Sequence, residues 1–348
     1  MNDFERQNEL TQGRNLTVSA SPHIRAKITT SRVMLDVLIA LIPAFIASIL
    51  IFGARAAVVT CVCVISCILF EWGFEKITKR PNTIGDYSAC ITGVLLAFNL
   101  PVTIPLWQAV FGSAVAIILV KQLFGGLGKN FANPAITARI VMFLAFSVSM
   151  TNWNYPGVGE SLALTLSSDS TIAFAPKLPW FWVYPIDGVA GATPLALMKN
   201  GNFDALPGIW NMFIGVRGGC IGETSNLALL IGGIYLMIRK VITWHAPLAF
   251  ILVVFGFSAL LGQDAVYHLF AGGLFLGAIF MATDYVTTPQ TNMGRLVFGI
   301  GAGLFTVIFR IYSSYPEGVS FAILLMNILT PYINKFTEAK PLGLVRKK

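Results

Sequence analysis

Charge is what this sequence is short of. Asp, Glu, Lys and Arg supply only 11% of its 348 residues, whereas soluble domains carry about 25%. That shortage, with 55% hydrophobic residues and a mean hydropathy of +0.73, excludes a soluble protein with a large core and implies an integral membrane protein. Histidine is scarce too. His23, His245 and His268 are scattered and form no ligand spacing. The five cysteines are equally unpromising. Cys61, Cys63, Cys67 and Cys90 sit inside apolar runs and Cys220 borders one, which reads as small buried apolar residues rather than metal or cluster ligands. There is no Ser/His/Asp grouping and no glycine fingerprint for a nucleotide. Residues 1–33 hold no apolar h-region, so no cleavable signal peptide is expected. The net charge of +8 would suggest nucleic acid in a soluble chain. In a membrane protein it reflects cytoplasmic loops rich in Lys and Arg, and no nucleic-acid partner is expected.

What the chain does have is apolar segments. Ten candidate spans follow a polar tail: 34–53, 56–72, 86–100, 104–120, 134–150, 222–238, 244–262, 265–282, 296–312 and 317–334. Several fall short of the ~20 residues a straight crossing needs. Short crossings are tolerated where broken helices line a protein interior. Five domains result: a cytoplasmic tail over 1–33, a first five-helix repeat over 34–150, an extracytoplasmic loop over 151–217, a second repeat over 218–335, and a cytoplasmic tail over 336–348.

Sequence matches at a near-constant offset support the repeat. Asn133-Pro134 opens the fifth span and Tyr315-Pro316 the tenth. Gly93-Val94-Leu95-Leu96 resembles Gly273-Leu274-Phe275-Leu276, and Val102-Thr103-Ile104-Pro105 resembles Val286-Thr287-Thr288-Pro289. Five spans per unit is odd, so the two units are inverted in the membrane. The expected fold class is an all-α integral membrane protein with about ten transmembrane helices as two inverted five-helix repeats. With a cytoplasmic N-terminus, 18 of the 24 basic residues fall inside. A miscount by one helix destroys that pattern, so both ends are expected in the cytoplasm.

The long polar interruption from 151 to about 217 contains Asp187-Gly188-Val189-Ala190-Gly191-Ala192-Thr193-Pro194-Leu195. Asp-Gly signals a turn, Gly191 and Ala192 leave the backbone almost bare, and Pro194 pushes Thr193 toward an extended conformation. An exposed hydroxyl with open space around it is expected at Thr193. A plain surface turn would look the same. Just upstream, Pro179-Trp180-Phe181-Trp182-Val183-Tyr184-Pro185 either anchors at the outer membrane surface or walls a flat ligand. The other tryptophans, Trp72, Trp107, Trp153, Trp210 and Trp244, fall near span ends, as interfacial belt residues do.

Two further stretches could carry chemistry. The glycine-rich turn from Leu123 to Pro134 permits close approach of a flat ligand or of another helix. Asp284 lies at a helix end in Phe280–Pro289, where it is either solvated at the interface or functional, and Arg139 lies inside a span. Asp36 and Glu71, at span edges, have the same two readings. Charge at such depths is costly.

The Asp187–Leu195 stretch resembles the flavinylation motif Asp-Gly-x-Ser/Thr-Gly-Ala-Thr of two related membrane subunits, the D subunit of the Rnf electron-transport complex and the B subunit of the sodium-pumping NADH:quinone reductase. Ala190 stands where that motif usually has a hydroxyl residue. Ser21-Pro22-His23, the glycine-rich turn, Phe280–Pro289 and Tyr315–Ala322 are similar to further segments of the family, so the likeness runs from Ser21 to Asn334. The length fits the Rnf protein better. The resemblance implies covalent FMN on Thr193 through a phosphoester, with Asp187, Gly188, Gly191 and Ala192 forming the motif around it, and a noncovalent riboflavin among the helices. It also implies a flavin-carrying subunit of an ion-translocating (Na⁺ or H⁺) complex in the bacterial cytoplasmic (inner) membrane, passing electrons between ferredoxin and NAD. Its expected partners are other membrane and peripheral subunits, a flavin transferase for maturation and the lipid bilayer. On the residues alone, a non-redox small-solute transporter or channel with an inverted repeat, or a structural scaffold subunit, stays open. Thr193 separates them, because neither needs a flavinylation loop.

Overall fold

A computed structural model describes residues 29–153, 193–201, 206–313 and 317–338. Among these residues all regular structure is helical, with no strand. Every one of the ten apolar segments forms helix. They are α1 (Thr30–Phe52), α2 (Ala54–Thr78), α3 (Ser88–Phe98), α4 (Leu106–Ala114, continued by a π-helix over Val115–Gln122) and α5 (Pro134–Ala145). Two short helices, α6 (Pro194–Lys199) and α7 (Ile209–Ile214), precede α8 (Asn226–Ile238), α9 (His245–Leu260), α10 (Ala265–Phe270), α11 (Leu274–Leu276, continued by a π-helix over Gly277–Met281), α12 (Asn292–Tyr312) and α13 (Val319–Thr337). Among the described residues, only α1, α2, α12 and α13 are long and apolar enough to cross a bilayer unaided.

The helices are inside-out relative to a soluble bundle. Along α1, Leu35, Ile39, Ile42, Ile46 and Leu50 recur at helical spacing and are all exposed, while Asp36, Ala40, Ala44 and Ser48 face the interior. Water would penalise such a stripe and lipid does not. Small inner residues let helices close on each other. A Cβ added at Gly232 of α8 would lie 2.1 Å from the Ala40 carbonyl oxygen of α1. Side-chain caps start the helices where the sequence supplies them: Asn133 for α5, Ser225 for α8, Asp264 for α10 and Thr291 for α12.

Three expected spans are altered. The fifth stops at Ala145, because Phe146 leaves helical geometry at φ −130° and ψ 50°; a single turn over Ser147–Met150 follows. The sixth begins at Asn226 rather than 222, because Gly222 packs face-on against Phe98 and its N–H goes to the Phe98 carbonyl, 3.0 Å away. The eighth is broken between Phe270 and Leu274 around Gly272, whose φ is +63°. The repeat's matched motifs also play unlike parts. Gly93 lies inside α3, in close contact with Val64, whereas Gly273 sits at the break against Glu223. The matching pair Tyr315-Pro316 lies outside the described residues.

Trp72, Trp107, Trp210 and Trp244 are exposed, as belt residues are, but Trp153 is buried. Trp180 and Trp182 lie outside the described residues.

Candidate functional site

Thr193 caps a helix. Its backbone is extended (φ −59°, ψ 157°), as Pro194 requires, and its hydroxyl oxygen accepts the Ala196 N–H at 3.3 Å. It is not the exposed hydroxyl expected from the sequence, since only 4% of it is accessible. The cause is Pro194, which does more than extend its predecessor. Placed at the first helical position it starts α6, and Leu195 on that helix packs with Met212 and Ala271. Burial of this small cluster draws Thr193 onto the bundle. Asp187, Gly188, Gly191 and Ala192 lie outside the described residues.

Leu195 rests on the break in the eighth segment. A Cβ on Gly272 would come within 2.9 Å of Leu195 Cδ1 and 3.4 Å of Arg310 Nη2. Breaking a helix inside a membrane frees carbonyls that no water satisfies. Arginines take them. Arg310 donates to the His268 carbonyl and, at 2.8 Å, to that of Ala271. Arg217 donates to the carbonyls of Gly272 at 3.1 Å, Glu223 at 2.8 Å and Thr224 at 3.3 Å.

Directly beneath lies a buried ionic centre. Arg139 of α5 donates to Glu317 at 2.7 Å, Asn99 at 2.9 Å and Ser320 at 3.0 Å, and stands 4.0 Å from Glu223. Cys220 Sγ is 3.5 Å from the same guanidinium. The Cys220 N–H donates to Glu223 Oε1 at 3.0 Å. The centre thus gathers side chains from the end of α3, from α5, from the segment before α8 and from the start of α13. Arg139 is legible in the sequence as an intramembrane charge, and the structure makes it a hub rather than a solvated group. Glu223, Glu317, Cys220 and Asn99 are not singled out by the sequence, because acidic residues at segment starts look like ordinary interfacial charges. The available signal was Glu223 two residues before Ser225, the residue that caps α8.

At the other end of the bundle a second site opens. A pocket partly open to solvent is lined by Ser88, Thr92, Asn130, Asn133, Phe280 and Asp284, among others. The glycine-rich turn forms one wall. Gly125, Gly126 and Gly128 all have positive φ, which only glycine adopts at no cost, and this lets the chain fold back to present Asn130 and Asn133. The turn contributes Leu127, Asn130, Asn133 and Pro134 to the lining. Burial raises the Asp284 carboxyl above its usual range, opposed by the Thr287 hydroxyl and the N–H groups of Val286 and Tyr285. Lys121, also on the cavity wall, is buried and reaches both Glu71 oxygens at 2.7 Å and Ser88 Oγ at 2.6 Å. Asp36 is likewise paired, with Arg239 at 3.2 Å and with the Tyr235 hydroxyl at 3.1 Å.

Lipid-facing helices, a helix break sealed by arginines and a buried ionic centre define an integral membrane protein built to hold charge within its interior. The pattern of the NQR2, RnfD, RnfE family matches residues 17–343, and the chain belongs to that family. It is 45% identical over 336 residues to the D subunit of the Na(+)-translocating ferredoxin:NAD(+) oxidoreductase complex of Acetobacterium woodii, covering 96% of this chain and 97% of the relative. It is 37% identical to the D subunit of the proton-translocating ferredoxin:NAD(+) oxidoreductase complex of Clostridium ljungdahlii, over 94% and 96% of the two chains. It is 36% identical to the D subunit of the ion-translocating oxidoreductase complex of Escherichia coli, over 94% and 98%.

Proposed function

We propose that this chain is the flavin-carrying membrane subunit of an ion-translocating complex that passes electrons between ferredoxin and NAD. Its relatives' names carry the ferredoxin:NAD chemistry. The observation that carries the flavin assignment is the position of Thr193. Its hydroxyl sits at the head of a helix docked over the broken eighth segment and the ionic centre, at the opposite end of the bundle from the Asp284 cavity.

The residues fit an FMN phosphoester. The Thr193 oxygen accepts one N–H, and its own proton has no acceptor among the described residues, so it can be exchanged for a phosphoester bond. Its burial makes flavinylation a step that precedes docking of α6 on the bundle. The second pocket suits an isoalloxazine in its lining. Asn130, Asn133 and Asp284 would supply its hydrogen bonds, and Leu127 and Phe280 its apolar contacts. Noncovalent riboflavin is assigned there. Flavins supply one-electron and two-electron chemistry, while the chain's part is placement and electrostatic tuning. Arg139 with Glu223 and Glu317 sets the electrostatics beneath Thr193, and the Lys121–Glu71 pair sets those of the inner pocket.

The ten helical segments are read as two inverted five-helix units in the cytoplasmic membrane, with both termini inside and Thr193 outside. The basic-residue asymmetry supports this sidedness. Other membrane and peripheral subunits hold the ferredoxin-facing and NAD-facing centres, and a flavin transferase matures this chain. The test is ultraviolet fluorescence of the chain after denaturing electrophoresis, when co-expressed with a flavin transferase. Thr193→Ala abolishes the fluorescent band and leaves the amount of inserted protein similar. Equal fluorescence in the variant overturns the assignment.

A further inference from the structure

We infer that Glu71 and Lys121 form a proton relay from the surface loop after α2 to a redox ligand in the Asp284 pocket, with Lys121 as the last donor. This rests on the assignment of that pocket to a flavin and goes beyond it, because it says how charge arriving there is balanced.

Lys121 is 2% exposed and Glu71 is 0% exposed. Desolvating both members of an ion pair offsets much of their attraction, so stability is a weak reason for such a pair. This pair meets the pocket wall. Lys121 and Ser88 both line the pocket, together with Asn130 and Asp284. The backbone is shaped to put Lys121 there. After Ala114 the helix widens into a π-helix over Val115–Gln122. From it the consecutive residues Lys121 and Gln122 both reach Glu71, Gln122 Nε2 donating to Glu71 Oε1 at 3.1 Å. Such widenings are frequent at functional sites.

The hydrogen bonds run from surface to pocket without a gap. Lys121 Nζ donates to Glu71 Oε1 and Oε2, each at 2.7 Å, and to Ser88 Oγ at 2.6 Å. Ser88 donates its own proton to Asp86, which keeps the Ser88 oxygen as an acceptor for Lys121. On the far side of Glu71 stands Thr83, exposed on the surface loop. Its hydroxyl reaches Glu71 Oε1 at 3.0 Å and also touches Glu75 Oε1. A hydroxyl between two carboxylates can pass a proton to either by turning. Arg80, a cation of the same loop, donates to the Gln122 carbonyl at 2.9 Å, which leaves Lys121 as the charge partner of Glu71.

The step balances. Each electron that a one-electron donor places on the ligand adds one negative charge to a site of low dielectric, where charge is costly. Lys121 gives the ligand one proton and is left as a neutral amine. One proton enters from water through Thr83 to Glu71 and passes on to Lys121. Lys121 is then again an ammonium and Glu71 again a carboxylate. One proton has moved from the surface to the ligand for one electron.

The experiment uses the full chain in lipid nanodiscs, expressed without a flavin transferase so that Thr193 carries nothing, and loaded with riboflavin. Its outcome is therefore independent of the fluorescence test of Thr193. Reduced methyl viologen, a one-electron donor with no proton to give, is mixed in by stopped flow. Loss of flavin colour reports electrons, and a pH-indicator dye in weakly buffered medium reports protons, both per bound riboflavin. In the wild type, proton uptake keeps pace with colour loss. Glu71→Gln and Lys121→Arg each slow proton uptake by roughly tenfold or more relative to colour loss. Arginine keeps the charge and can pair with Glu71 but releases no proton, so a merely structural ion pair tolerates it and a relay does not. Azide, a small diffusible proton carrier, restores prompt uptake in Glu71→Gln. Bound riboflavin with proton uptake no slower in the variants than in the wild type overturns the relay and leaves the pocket assignment standing. A wild-type chain that binds no riboflavin overturns both. Should one variant fail to insert, the other still decides.

Discussion

Replacing Arg139 with methionine tests the ionic centre where it is most connected. Arg139 is 6% exposed, and its guanidinium makes hydrogen bonds to Glu317, Asn99 and Ser320 between 2.7 and 3.0 Å. Methionine fills similar volume, so little of the effect comes from a cavity. What remains is Glu317 with its charge partner gone. Removing one member of a buried pair costs about 3–5 kcal/mol, because the survivor stays desolvated. At about 1.4 kcal/mol per tenfold, Arg139→Met lowers the folding equilibrium constant roughly 10²- to 10⁴-fold. The assay is reversible detergent unfolding of the purified chain in sodium-free choline buffer, read by tryptophan fluorescence. Adding Glu317→Gln to the same variant removes the stranded charge. The double variant should cost less than the sum of the two singles by about 1–3 kcal/mol. A single-variant cost below about 1 kcal/mol, or strictly additive costs, would refute the hub, for then Arg139 would be no more than a snorkelling charge.

Two further outcomes follow from the packing and from the assigned sidedness. Gly232→Ala forces a methyl group against the Ala40 carbonyl across the α1–α8 contact, so it should destabilise the chain by about 1–3 kcal/mol in the same unfolding assay, while Gly256→Ala, in open space, should not. A single cysteine at Ser168, in a background lacking other reactive thiols, should react with a membrane-impermeant maleimide in intact cells; labelling only after cell breakage would reverse the topology and the outward placement of Thr193.

Much of this architecture is legible in the sequence because the bilayer is a demanding solvent. Apolar run length and the bias of Lys and Arg mark the ten segments, since each exposed residue must suit lipid and each loop charge must lie on one side. The Thr193 motif is local, so it too can be read along the chain. Tertiary structure decided the rest. No periodicity shows that Phe98 and Gly222 exchange a hydrogen bond, or that the eighth segment breaks at Gly272, because those breaks are stabilised by Arg217 and Arg310 from remote positions. Thr193 reads as exposed in isolation. It is buried because Leu195, Met212 and Ala271, far apart in the chain, share one apolar cluster. Glu223 and Glu317 are separated by 94 positions and look like unremarkable charges near segment starts. They become one centre only when α5 brings Arg139 between them, since the low-dielectric interior makes distance in space, and not distance along the chain, the quantity that sets their energy.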